Sequence, residues 1–269
     1  MELLTALIGG GAGLAAVSGL ALKHALRPLK PVGVPVIRYR LVGPPFAGSP
    51  LNPLRVSEPT FREHIRYMAR RGFRPVSLGE AIRRCGESDF LREKPVVLTF
   101  DGGYQGLERY VLPVLDEYEF AAGTVFVAPE SLGGTNAYEL DGHGRAEPML
   151  SEEGLAGLAA FGMEIGSLGF SGRDLTRLGP EDFLRELQES RRVLKELTGQ
   201  PVELLAWPRD LHAKDFGALV RQAGFTHAAW VSLDGLLSKD FDPLCVPRYG
   251  LTRRSALIEV ALLLSLRLR

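Results

Sequence analysis

The stretch Pro95-Val96-Val97-Leu98-Thr99-Phe100-Asp101-Gly102-Gly103-Tyr104 decides how this 269-residue chain is read. An apolar, β-branched run leads straight into a carboxylate and then into two glycines. That order predicts a strand buried on both faces, of the parallel-sheet kind, ending where the backbone turns sharply. In α/β folds the side chains at the carboxyl ends of such strands face the active site. Asp101 is therefore the first candidate for chemistry; the alternative is an aspartate that only caps the next turn.

Strands and helices alternate on both sides of this stretch. Upstream, Val34 to Val42 reads as a first strand. Ser57-Glu58-Pro59-Thr60 opens a helix whose Phe61, Ile65, Met68 and Ala69 share a face and which Gly72 ends. A short strand over 74–78 and a short helix over 78–85 follow. Downstream come a helix over 107–118, a strand over 122–128, a long loop from Pro129 to Pro148, a helix from Ser151 to Phe161 and a strand over 164–168. Phe183, Leu184, Leu187, Ser190, Val193 and Leu197 then keep helical spacing up to Gly199. Strand–helix pairs over 202–208 with 213–223, 227–231, and 246–249 with 255–266 complete the chain. Seven or so β–α units predict a closed or nearly closed parallel barrel.

Composition narrows the partners. Lysine plus arginine (32) equals aspartate plus glutamate (32), which gives no global electrostatic case for nucleic acid. The two cysteines, Cys85 and Cys245, belong to no Cys-x-x-Cys pair, which argues against a thiolate zinc site and a disulfide scaffold. Whether they pair with each other stays open.

Leu3 to Leu22 carries no charge and is just long enough to span a bilayer as a helix. Residues 1–22 are expected to form an N-terminal transmembrane or signal-anchor helix, and 23–34 a proline-rich linker with Pro28, Pro31 and Gly33. The barrel is expected over 35–269. Lys23, His24, Arg27 and Lys30 follow the span, so the positive-inside rule favours a cytoplasmic barrel.

In order, these segments resemble the polysaccharide deacetylases, carbohydrate esterase family 4, whose NodB-homology domain is a distorted (β/α)7 barrel. The resemblance rests on Val34-Pro35-Val36-Ile37, Thr99-Phe100-Asp101-Gly102-Gly103-Tyr104, Gly133-Gly134-Thr135-Asn136 and Glu164-Ile165-Gly166-Ser167. It continues in Ser171-Gly172-Arg173-Asp174-Leu175, Leu205-Ala206-Trp207-Pro208 and Pro247-Arg248. It implies a hydrolase that removes acetyl groups from glycans with a divalent metal such as zinc, outside the cytoplasm. In such a site the metal polarises the carbonyl and its water, and an aspartate base assists the attack.

Residue by residue, the implied site is incomplete. Asp101 matches the base, and Arg248 matches the arginine that supports it. The metal aspartate falls on Gly102 and the two metal histidines on Leu168 and Gly172, none of which carries a donor atom, whereas catalytic zinc takes about three protein ligands. Arg38-Tyr39-Arg40 stands where the family reads Met-Tyr-His. Arg209-Asp210 replaces the tyrosine after Trp207-Pro208, and no histidine follows His227 to act as general acid. The expectation is a catalytically inactive member that binds a cell-envelope glycan or partner and uses no cofactor. The alternative is an active N-deacetylase, hydrolysing non-peptide carbon–nitrogen bonds, with ligands drawn from Asp101, His143, Asp210 and His212. His24 and His64 are expected in solvent.

Arg38, Arg40, Arg173, Arg209 and Arg248 all map near the barrel rim. Converging guanidinium groups favour an anionic sugar ligand, and Tyr39, Tyr104, Tyr138 and Trp207 would offer stacking surfaces. The competing reading pairs these arginines with acids such as Asp101 and Asp174. A binding cleft predicts an open groove; a structural role predicts Leu168 and its neighbours filling the metal position. If the barrel scaffold is intact, Gly102→Asp with Leu168→His and Gly172→His is expected to restore metal binding; failure to take up zinc would mean a wrong alignment of these segments or a closed cleft.

Overall fold

The computed structural model describes residues 32–140, 142–210 and 216–266. The apolar run over 3–22, most of the linker, His24 and His212 lie outside the described residues. Among the described residues, no helix is long and apolar enough to cross a membrane.

Eleven strands are described: β1 Val34–Tyr39, β2 Leu41–Val42, β3 Arg55–Val56, β4 Arg74–Val76, β5 Pro95–Gly102, β6 Gly123–Val127, β7 Met163–Ser167, β8 Leu204–Ala206, β9 His227–Ser232, β10 Leu236–Leu237 and β11 Val246–Gly250. Seven of them form a parallel ring in the order β1-β11-β9-β8-β7-β6-β5. Pairing of β5 back onto β1, from Val36 opposite Val97 to Tyr39 opposite Phe100, closes it. The result is a (β/α)7 barrel. Short β4 pairs with the start of β5, β10 lies antiparallel to the start of β1, and β2 pairs with β3 outside the ring.

Eight helices are described: α1 Glu58–Arg70, α2 Leu78–Arg84, α3 Ser88–Arg92, α4 Leu112–Glu117, α5 Glu152–Phe161, α6 Pro180–Thr198, α7 Gly217–Gln222 and α8 Leu257–Ser265. Local chemistry sets their ends. The Ser57 and Ser151 hydroxyls accept from the backbone N–H groups of Thr60 and Gly154, and Gly199 closes α6 at φ +69°. The expected 107–118 helix splits into a wide turn over Leu107–Val111 and then α4. Pro113 has no N–H to give Arg109, so a regular ladder breaks there. The five-residue α3 was too short to leave a periodic signal.

Strand alternation sorts the side chains into two cores. Ile37, Tyr39, Leu98, Phe100, Val125 and Ile165 pack outward among the helices, whereas Val36, Val97, Phe126, Ala206 and Val246 fill the barrel interior. By the same two-residue period, Arg38, Asp101 and Arg248 point inward. The amino end of the barrel is solid. There α2 tucks beneath the strands: Gly79 donates its N–H to Glu164 Oε2 at 3.0 Å and Leu78 to Thr124 Oγ1 at 2.9 Å. Leu78, Ala81, Phe90 and Leu91 pack beside Val34, Val76 and Val97. Among the described residues, the filled amino end directs attention to the carboxyl end of the strands.

His64 departs from the expectation of a solvated residue. It is fully buried, and its Nδ1 lies 3.1 Å from the Tyr39 hydroxyl. Position 64 is three residues after Phe61 and one before Ile65, on the apolar face of α1. Burial pulls its pKa down to about 4 against a smaller opposing pull from Glu259. The folded value lies below the unfolded one, near 6.5, so the unfolded chain binds more protons in between. Stability from neutral His64 is complete above about pH 6.5 and falls as pH drops to about 4, by up to about 3 kcal/mol. Urea unfolding at pH 7 and pH 4.5 should show a smaller difference for His64→Gln than for the parent chain.

Candidate functional site

Asp101 stands at the carboxyl end of β5 with its carboxylate inside the barrel. Gly102 (φ +109°) and Gly103 (φ +73°) follow it in left-handed conformations, which is why the strand turns away there. Arg248 on β11 grips the carboxylate with both terminal nitrogens, Nη1 to Oδ1 at 2.6 Å and Nη2 to Oδ2 at 3.0 Å. Arg38 on β1 adds Nε to Oδ2 at 2.6 Å. Only 2% of Asp101 is exposed and none of Arg248. Burial alone would raise the Asp101 carboxyl, but Arg248 and then Arg38 outweigh it and hold it well below the usual carboxylate range. The Arg248 guanidinium lies 5.1 Å above the Phe126 ring. That ring fits because residue 166 is glycine: a Cβ there would meet Phe126 Cδ1 at 2.5 Å.

Above this cluster, the long loop folds into the barrel mouth. Its Glu139 pairs with Arg40 at 2.5 Å and accepts from the Tyr104 hydroxyl at 3.0 Å. Asn136, fully buried, donates to the Tyr104 oxygen at 3.2 Å and accepts from the Glu147 N–H at 2.7 Å. Glu147 is in turn clamped by Arg55 Nη2 at 2.5 Å and by Ser49. From the opposite side, Arg209, held at φ +55°, donates to the Tyr138 carbonyl at 3.0 Å. Every acid in this plug faces a guanidinium. Burial, aided by Glu139, pushes the Tyr104 and Tyr138 phenols up, so both rings stay neutral.

The positions that the resemblance assigns to a metal do not fit one. A Cβ on Gly172 would meet the Tyr138 ring at 2.5 Å, and a Cβ on Gly102 would collide with the Tyr104 ring. Leu168 is buried in the interior core, with Tyr138 packed against that core. Both oxygens of Asp101 already accept from guanidinium groups. Among the described residues, no three histidine, cysteine, aspartate or glutamate side chains cluster as a metal site.

Of the residues read from sequence, Asp101, Arg38 and Arg248 come together, and Arg40, Tyr104, Tyr138 and Arg209 join the plug above them. Two stacking surfaces do not materialise. Tyr39 points away from the mouth, into the helical layer, stacked on Phe100 at 5.6 Å. Trp207 is buried against Phe183 and donates its Nε1–H to the Leu244 carbonyl at 3.0 Å. Both have the strand parity that faces the helices, Tyr39 with Ile37 and Trp207 with Leu205. Arg173 pairs with Glu186 rather than Asp174. His143 is exposed in the loop, and the Asp210 side chain lies outside the described residues. Cys85 and Cys245 form no disulfide. Asn136 belongs to the Gly133-Gly134-Thr135-Asn136 string, which gives it no role of its own; the signal for Glu139 is the inward Arg40 needing an acid partner, and nothing in the sequence points to Glu147, whose partner Arg55 lies outside the ring.

Comparison with known proteins agrees with this architecture. The family model described as polysaccharide deacetylase matches residues 90–228, just over half of the chain, and the chain belongs to that family. YxkH of Bacillus subtilis (strain 168), named for the polysaccharide deacetylases, is 25% identical over 179 residues, 66% of this chain and 57% of YxkH. The poly-β-1,6-N-acetyl-D-glucosamine N-deacetylase of Escherichia coli (strain K12) is 33% identical over 69 residues, 26% of this chain and 10% of that protein. The chain therefore spans little more than half of one curated relative and a tenth of the other. Among solved structures, the Streptococcus pyogenes deacetylase PplD in complex with acetate superposes with a TM-score of 0.72. It is 18% identical, covering 87% of this chain and 99% of PplD, and shows the shared fold.

Arg248→Met leaves the buried carboxylate with Arg38 alone. It should lower the unfolding free energy by about 3–5 kcal/mol, read by chemical denaturation at pH 7.

Proposed function

We propose that this chain is a non-catalytic polysaccharide deacetylase homologue, anchored to a membrane through residues 3–22, that serves the cell envelope by binding rather than by hydrolysis. The observation that carries the reading is the Asp101 carboxylate. A general base must accept a proton from water, and a carboxylate held by two guanidiniums and far below the usual range is a poor acceptor. The filled space over Gly102 and Gly172 supports the same reading, since neither a metal nor a glycan acetamide finds room there. Binding of an envelope glycan or protein then falls to the outer surface, not to the closed mouth.

The plug also changes what restoring the ligands achieves. Gly102→Asp with Leu168→His and Gly172→His should retain no zinc after desalting, because the Tyr104 and Tyr138 rings occupy the space. Adding Tyr104→Ala and Tyr138→Ala to the triple variant should clear it and give measurable zinc by elemental analysis. For the parent chain, incubation with N-acetylglucosamine oligomers and zinc or cobalt should release no acetate above the protein-free control. Acetate release that tracks one equivalent of bound metal, and is lost in Asp101→Asn, would overturn the reading in favour of an enzyme with unorthodox ligands.

A further inference from the structure

Among the described residues, an exposed apolar line runs along α8. Ile258 and Leu262 on α8 and Leu266 at its C-cap repeat every four residues along one helical face and are 67%, 61% and 45% exposed. The opposite face, Val260, Leu263 and Leu264, is buried in the core. In the sequence, positive charge lies on both sides of this helix. Arg253 and Arg254 precede the helix, exposed, and the sequence ends Leu266-Arg267-Leu268-Arg269. From 253 to 269 the only acid is Glu259, which is occupied by the Tyr249 hydroxyl at 2.8 Å and the Ser255 hydroxyl at 3.1 Å. Beside the helix lies a recess of about 300 Å³ lined by Tyr67, Arg71, Phe73, Lys94, Ala261 and Leu264, which adds two further cations.

We propose that α8 lies on the surface of an anionic lipid bilayer, the Ile258–Leu262–Leu266 line entering the headgroup boundary and Arg253 and Arg254 meeting lipid phosphates. An exposed apolar line bordered by basic residues suits the headgroup boundary, where apolar side chains reach the acyl edge and cations meet anionic headgroups. Each cation close to such a surface adds to the attraction. The course of the chain favours this occupant over another protein. Lys94 precedes β5, and β5 pairs directly with β1, so the recess and the start of β1 share the amino rim of the barrel. The uncharged run over 3–22 joins β1 through residues 23–31 and then Val32-Gly33, and nine extended residues reach at most about 30 Å. An anchor so tethered keeps α8 within reach of the bilayer. The proposal rests on the reading of 3–22 as an anchor, and the test separates the two.

The full-length chain, with Cys85→Ala and Cys245→Ala, is reconstituted in vesicles of phosphatidylcholine and phosphatidylglycerol, carrying an environment-sensitive dye on Leu262→Cys. The expected result is blue-shifted emission that doxyl-labelled lipid quenches, with neither effect for a dye on Glu196→Cys of α6, across the barrel. With Leu262→Glu and the dye moved to Ile258→Cys, emission should return to that of water while the chain still floats with the vesicles. A chain that floats but whose 262 dye reports water overturns the α8 contact and leaves the anchor standing. A shielded dye that lipid does not quench also overturns it, because residues 3–22 or a second copy then cover the helix. A chain that does not float overturns the anchor and the contact together.

Discussion

The barrel mouth depends on one buried carboxylate. Asp101 is withdrawn from water, a change that would ordinarily cost several kcal/mol, and it is held charged only because Arg248 and Arg38 supply three short contacts between them. That arrangement sets the charge of everything above it. Two guanidiniums on one carboxylate leave an excess positive charge inside the barrel, and a third inward arginine, Arg40, would add to it. The long loop answers by delivering Glu139 to Arg40 and seating Tyr104 and Tyr138 between the pairs. The loop is therefore structural in a direct sense: without its acid, the first strand would carry an unpaired buried cation.

Much of the fold was legible because each barrel strand is a short apolar run punctuated by glycine, serine or proline. The β5 stretch shows inward Val97, Thr99 and Asp101 and outward Val96, Leu98 and Phe100 in plain alternation. The helices declared themselves by serine caps and by the Phe183-to-Leu197 spacing. Elements failed where a local signal was too short, as in α3, or where one residue broke a ladder, as at Pro113. The site was legible in its anchors, Asp101 and Arg248, because strand ends are recognisable and an inward arginine needs an acid. Its upper half was not. Which of many loop acids meets Arg40 depends on how residues 129–148 fold back, and no period in the sequence encodes that path. His64 is a different failure: helical spacing placed it with Phe61 and Ile65, and its polarity masked the face.

The chemistry of the mouth also separates two kinds of residue. Gly102, Leu168 and Gly172 are each neutral, so none of them leaves an unpaired charge, and the tyrosine rings fill the space beside them. Asp101 and Arg248 have no such freedom. Changing Asp101 alone strands Arg248 in a dry interior, where an uncompensated charge costs about 3–5 kcal/mol, and changing Arg248 alone leaves the carboxylate with Arg38 as its partner. A barrel can thus do without its metal donors at little structural cost and still be bound to its aspartate–arginine pair. Persistence of the pair is then a requirement of folding, and Asp101 by itself is no sign of a working base. The discriminating feature is what the carboxylate oxygens face. Here both oxygens accept from guanidinium nitrogens, Oδ1 from Arg248 and Oδ2 from Arg248 and Arg38, and only 2% of the residue is exposed.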